Sequence, residues 1–211
     1  MVLDTTRHTM DPLLAALAKP FRSWPPDILT AIALIFALAA GALFYLSSPQ
    51  NELQSSLLLL AALCILLNGL FDAIDGKVAK LSHQTTARGD FLDHALDRYA
   101  DVFIIGGLAL SPWCRPSIGL LAIIGVLLTS YMGTQAQAVG CKRDYSGLLG
   151  RADRIALLII FPILQHAFLT TSYTLPYQLT VLEIAMILFA IVGNITALQR
   201  FFGTLRWFSK Q

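Results

Sequence analysis

Residues 71–101 read FDAIDGKVAKLSHQTTARGDFLDHALDRYAD. This stretch holds Asp72, Asp75, Asp90, Asp93, Asp97 and Asp101, six of the chain's thirteen acidic residues, and oily sequence flanks it on both sides. Asp72 and Asp75 are three residues apart, and Asp93 and Asp97 four, so on helices each pair projects from one face. If the two segments pack as neighbours, four carboxylates converge. Like charges in a partly dehydrated pocket repel strongly unless cations neutralise them. Hard oxygen ligands without His or Cys favour Mg2+, Mn2+ or Ca2+ over zinc. Two divalent ions bridged by carboxylates also suit a phosphoryl-type substitution. Gly76 sharpens this reading, because a missing side chain lets a nucleotide or sugar lie against the helix backbone.

The rest of the chain says where such a cluster sits. Its mean hydropathy is +0.66. Hydrophobic residues make up 56% and charged residues 13%, against about 25% charged in soluble domains. The composition predicts an all-α integral membrane bundle of six transmembrane helices. Candidate spans run over residues 28–46, 53–71, 91–110, 118–137, 155–169 and 179–198. The third carries Asp93, Asp97, Arg98 and Asp101 in its first turns, so that end faces protein or water and not lipid. Residues 1–25 form a cytoplasmic tail with an interfacial amphipathic helix, for which Asp11 is the expected N-cap and Pro12 the first helical residue. Residues 26–211 form the transmembrane domain. No apolar core precedes a small-residue cleavage site near the N-terminus, so no cleaved signal is expected. Cys64, Cys114 and Cys141 form no paired motif. A net charge of +2 without basic runs among aromatics gives no sign of nucleic-acid binding.

Six spans place fourteen of the fifteen Lys and Arg residues on one side, with only Arg115 opposite. Positive charge marks the cytoplasmic side, so the acidic stretch is expected to open to the cytoplasm of a multi-pass plasma-membrane protein.

Written as spacing, the stretch is Asp72-x2-Asp75-Gly76-x2-Ala79-x9-Gly89-x3-Asp93-x3-Asp97. It resembles the signature of the CDP-alcohol phosphatidyltransferase family, whose members are commonly homodimers of six-helix protomers. The resemblance implies that Asp72, Asp75, Asp93 and Asp97 hold two Mg2+ or Mn2+ ions, and that Asp97 doubles as general base. It also implies that Gly76 and Ala79 line the cytidine site of CDP-diacylglycerol or CDP-archaeol, with Asp72 beside them. Lys80 stands where the family usually has Arg, which keeps the charge but loses the bidentate fork. PPDILT, residues 25–30, resembles the family's P-N-x-x-T element with Asp27 in place of Asn, and Thr30 is the nucleotide-site residue implied there. A plain helix start at the membrane surface is the alternative.

The loop before the fifth span holds Lys142, Arg143, Arg151 and Arg154 on the same side as the acids. These residues are either topology signals or the site of an acceptor phosphate, which forked guanidiniums suit better than a neutral alcohol. GLLGRADR, after a polar GTQAQA segment, resembles the inositol-phosphate-using members, and glycerol 3-phosphate is the competing acceptor. A cation transporter is the reading from another class. Clustering at one membrane face instead of the midplane counts against it.

Overall fold

The computed structural model describes residues 7–49, 52–141, 147–170 and 179–209. The described residues form helices α1 (Arg7–Ala18), α2 (Pro26–Leu46), α3 (Glu52–Leu81), α4 (Ala87–Ala109), α5 (Pro116–Ala138), α6 (Arg151–Thr170) and α7 (Val181–Phe208). No strand occurs among them. Five helices, α2, α3, α5, α6 and α7, are long and apolar enough to cross a membrane. The protein is therefore a multi-pass membrane protein. Helix α4 falls outside that set because its first turns are acidic, as its sequence foreshadows.

Helix lengths depart from the hydropathy spans in a way that matters. The second apolar run ends at Phe71, yet α3 continues unbroken to Leu81. At 30 residues the helix is about 45 Å long, against a hydrocarbon core of about 30 Å. Asp72, Asp75 and Gly76 ride on the excess. Helix α7 likewise outruns its predicted end at Leu198, and a π-helical turn interrupts it at Phe189–Gly193. Helix α1 starts at Arg7, so Pro12 lies inside it and Asp11 is not its cap. Asp11 instead takes a hydrogen bond from Lys77 Nζ on α3 at 2.7 Å. That cross-helix ion pair, together with Ala18 packed near Ile74 and Val78, fixes α1 to the acid-rich end.

Small residues let the helices approach closely, as apolar surroundings require when there is no hydrophobic drive between them. A side-chain carbon at Gly107 would strike the backbone of Gly41, and one at Gly125 would meet Asn194 and the Phe189 carbonyl. Gly41 and Gly107 set the α2–α4 crossing, and Gly125 and Gly193 set α5 on α7. The opposite end is sealed by polar pairs. Trp113 Nε1 donates to Ser47 Oγ at 2.7 Å, and the buried Glu183 accepts from Arg115 Nε at 2.8 Å and from its backbone N–H at 2.9 Å.

Gly107→Leu should overpack the α2–α4 crossing and lower stability by about 1–3 kcal/mol or more. Gly106→Ala, whose new carbon would meet nothing within 4 Å, should be close to neutral. Thermal-shift measurements in detergent check both.

Candidate active site

A tight reversal brings the two acidic helices to one end. Helix α3 closes with His83 in the left-handed conformation (φ 55°) and with Gln84 N–H bonded to the Ala79 carbonyl at 2.9 Å. That pattern satisfies carbonyls at a helix end and turns the chain. Thr86 then caps α4, its hydroxyl accepting from Gly89 N–H at 3.0 Å. Asp90 lies in the first turn, where the helix dipole favours an acid. Gly89 is thus an ordinary part of a helix start.

The reversal gathers the four aspartates. Carboxylate oxygens of Asp72, Asp75 and Asp93 all lie within 4.8 Å of one another, and the ligand atoms of Asp93, His94 and Asp97 meet the same limit. Asp75 is 3% exposed and Asp97 9%. Arg151, from the start of α6, joins the two halves: Nη1 donates to Asp72 Oδ2 at 2.7 Å, and Nη2 lies 2.6 Å from Asp97 Oδ1. The donors fit a hard divalent cation, being carboxylates crowded closely enough to require positive charge among them. Thr30 sits beside them, its hydroxyl 2.6 Å from Asp75 Oδ2. Gly76 opens outward, and a side-chain carbon there would meet nothing within 4 Å. Ala79 and Lys80 follow on the same helix, the first half-buried and the second exposed.

The basic residues divide. Arg151 is in the cluster and Arg154 lies behind it, 2% exposed, with Nη2 donating to Asp101 Oδ2 at 3.0 Å. The buried Arg154 side chain turns to a carboxylate, not to the open face expected of a phosphate ligand. Lys142 and Arg143 lie outside the described residues. Gln135 and Gln137 are exposed on the last turn of α5. Two neighbours were not singled out from sequence: His94, 3.5 Å from Asp90 and 3.4 Å from Asp93, and Asn68, whose amide donates to the Ala33 carbonyl at 2.8 Å. Arg98 lies between Asp97 and Asp101, the base expected beside Asp101 from their three-residue spacing. The four-residue spacing of Asp90 and His94 is the helical signal that points to His94.

Fold and site together define a membrane-embedded helical bundle with a carboxylate centre at one end. The family described as CDP-alcohol phosphatidyltransferase matches residues 24–195, and the chain belongs to that family of enzymes. An archaetidylinositol phosphate synthase from Methanothermobacter thermautotrophicus is 30% identical over 195 residues, which cover 92% of this chain and 87% of the relative. Among solved structures, the phosphatidylinositol phosphate synthase of Mycobacterium tuberculosis with CDP-DAG bound superposes with a TM-score of 0.70 at 22% identity. That alignment covers 92% of this chain and 94% of the other. The same enzyme in complex with manganese and citrate also gives 0.70 at 22% identity, over 91% and 88% of the two chains. At this identity the structures establish the fold.

Thr30→Val should remove the donor to a buried carboxylate and lower stability by about 1.5–3 kcal/mol. Thr30→Ser should retain most of it. Thermal unfolding of the two purified variants separates the hydroxyl from the side-chain volume.

Proposed function

We propose that this protein transfers a phosphatidyl or archaetidyl group from a CDP-linked lipid to a hydroxyl of a phosphorylated polyol, inositol 1-phosphate above all, with release of CMP. The observation that carries the reading is the gathering of Asp72, Asp75, Asp93 and Asp97 beside an open Gly76. The archaetidylinositol phosphate synthase relative supports inositol phosphate over glycerol 3-phosphate as acceptor.

In this reading Asp72, Asp75, Asp93 and Asp97 hold two divalent ions, Mg2+ or Mn2+, in keeping with a manganese complex of the Mycobacterium tuberculosis enzyme. The chemistry supplied by bound metal is neutralisation of charge on the pyrophosphate oxygens. Gly76 and Ala79 admit the cytidine, Lys80 reaches a phosphate as a point charge, and Thr30 steadies Asp75 at the edge of that site. Asp97 takes the proton of the acceptor hydroxyl. The freed oxygen attacks the lipid-side phosphorus, a new P–O bond forms, and the bond to CMP breaks with its electron pair leaving on CMP. Arg151, with Lys142 and Arg143, meets the acceptor's phosphate. Arg154 supports it from behind.

The same reading makes α4 the sixth span, shielded from lipid at its acidic end, and α1 an interfacial helix within a cytoplasmic segment of residues 1–25 ahead of the transmembrane domain of residues 26–211. The positive charge around the acids favours the cytoplasmic face of the plasma membrane. A homodimer in the bilayer is the assembly that the family resemblance suggests.

Replacing any one of Asp72, Asp75, Asp93 or Asp97 by Ala should cut CMP release at least ~10²-fold, and pairs of replacements should not multiply the loss. Full activity in Asp93→Ala or Asp97→Ala would sink the assignment, and Asp90→Ala serves as the mild control. Gly76→Leu should abolish CDP-lipid binding at an unchanged thermal midpoint, since the new side chain enters open space.

Arg151→Ala should raise the KM for inositol 1-phosphate about 10- to 150-fold, the worth of one charge-assisted contact. The KM for CDP-lipid should barely move. Equal use of unphosphorylated inositol by the wild-type enzyme would overturn the acceptor.

A further inference from the structure

Asp101 lies one turn beyond Asp97 on α4, and neither spacing nor family resemblance gives it a chemical role. It is buried all the same, at 7% exposure, between two guanidiniums. Arg154 reaches Oδ2 from α6 at 3.0 Å. Arg98 holds Nη2 3.4 Å from the same oxygen and 3.5 Å from Asp97 Oδ2, while its Nη1 donates to Ser130 on α5. Both Arg98 distances are long for hydrogen bonds and short enough for ion pairs. Arg98 is therefore suspended between two carboxylates. The Arg154 Nε is buried and has no partner among the described residues, so that guanidinium depends on Asp101.

We propose that Asp101 is a positioning residue, which holds Arg154 and shares Arg98 with Asp97, and so limits how closely Arg98 approaches Asp97. The inference rests on the metal and base roles proposed above for Asp97. Unit charges a few ångströms apart in apolar surroundings interact strongly, so a guanidinium that loses one anion turns to the next. For Arg98 the next is Asp97, already 3.5 Å away. Arg151 holds the other Asp97 oxygen at 2.6 Å. A carboxylate with arginines on both oxygens has fewer lone pairs for a cation. Asp101 also offsets the repulsion between Arg151 and Arg154, which stand one turn apart on α6 and approach α4 together.

The test uses full-length protein purified in detergent, with Mn2+ alone as the probe and its affinity read by electron paramagnetic resonance. Thermal midpoint, kcat and KM for CDP-lipid are measured alongside. Asp101→Asn should weaken Mn2+ binding about 10-fold and lower kcat about 10²-fold, with the KM for CDP-lipid within about twofold. Adding Arg154→Gln should recover the thermal midpoint, because no buried guanidinium is then unpaired, yet leave Mn2+ binding weak. Adding Arg98→Gln as well should restore Mn2+ binding towards the wild-type value. Wild-type Mn2+ affinity in a folded Asp101→Asn protein would overturn the proposal. So would recovery of kcat together with the midpoint in the Asp101→Asn/Arg154→Gln protein, the outcome of a purely structural pair. Should Asp101→Asn not fold, Arg98→Gln alone decides: Mn2+ binding should hold or tighten, and weaker binding refutes the role. A wild-type protein that neither binds Mn2+ nor releases CMP would take down the proposed function as well, whereas normal wild-type behaviour beside an unaffected Asp101→Asn sinks the positioning role alone.

Discussion

Carboxylates at the end of an apolar helix bundle need positive charge close by, and the architecture of this protein follows from how it supplies that charge. Asp72, Asp75, Asp93 and Asp97 gather like charges among apolar helices, and such charges repel. Arg151 answers from α6 by spanning Asp72 and Asp97, and Arg98 and Arg154 continue the alternation inward around Asp101. The result is a chain of alternating charge across α3, α4 and α6. Breaking one buried member of such a chain costs more than the pair itself is worth, because the partner is left charged and dehydrated.

The backbone makes this arrangement possible before any side chain does. An α3 longer than the hydrocarbon core carries Asp72 and Asp75 to its end, and the His83 turn with the Thr86 cap reverses the chain within a few residues. Asp93 and Asp97 return on α4 at the matching height. The close crossing at Gly41 and Gly107 packs α2 on α4, and at the acid-rich end Thr30 on α2 reaches Asp75 on α3.

Much of this was legible in the residues. Three- and four-residue spacing put each aspartate pair on one helical face, and the buried pairing of Asp101 with Arg98 and Arg154 follows from charge placed inside an apolar segment. Helix ends were less legible. Hydropathy stops at Phe71 because acids begin there, but helix formation depends on backbone propensity and continues to Leu81. Arg151 and Arg154 look equivalent in sequence, three residues apart and equally charged. Burial separates them, and burial is a property of what α4 and α6 bring together, absent from either segment alone.

Both ends of the bundle bury a carboxylate, and the two ends meet that charge differently. Glu183 is met by the side chain and the backbone N–H of Arg115, while Gln165 accepts from the Val181 and Leu182 N–H groups and Thr180 from that of Glu183. Backbone donors fixed by the loop and the first turn of α7 there supplement the Arg115 guanidinium. At the acid-rich end the counter-charge rides on long arginine side chains, and Gly76 leaves open space beside the carboxylates. Side-chain cations can yield a carboxylate oxygen to another cation without moving the backbone. One end of the bundle is thus closed by a loop-held carboxylate, while at the other the counter-charge is carried by side chains beside the open space at Gly76.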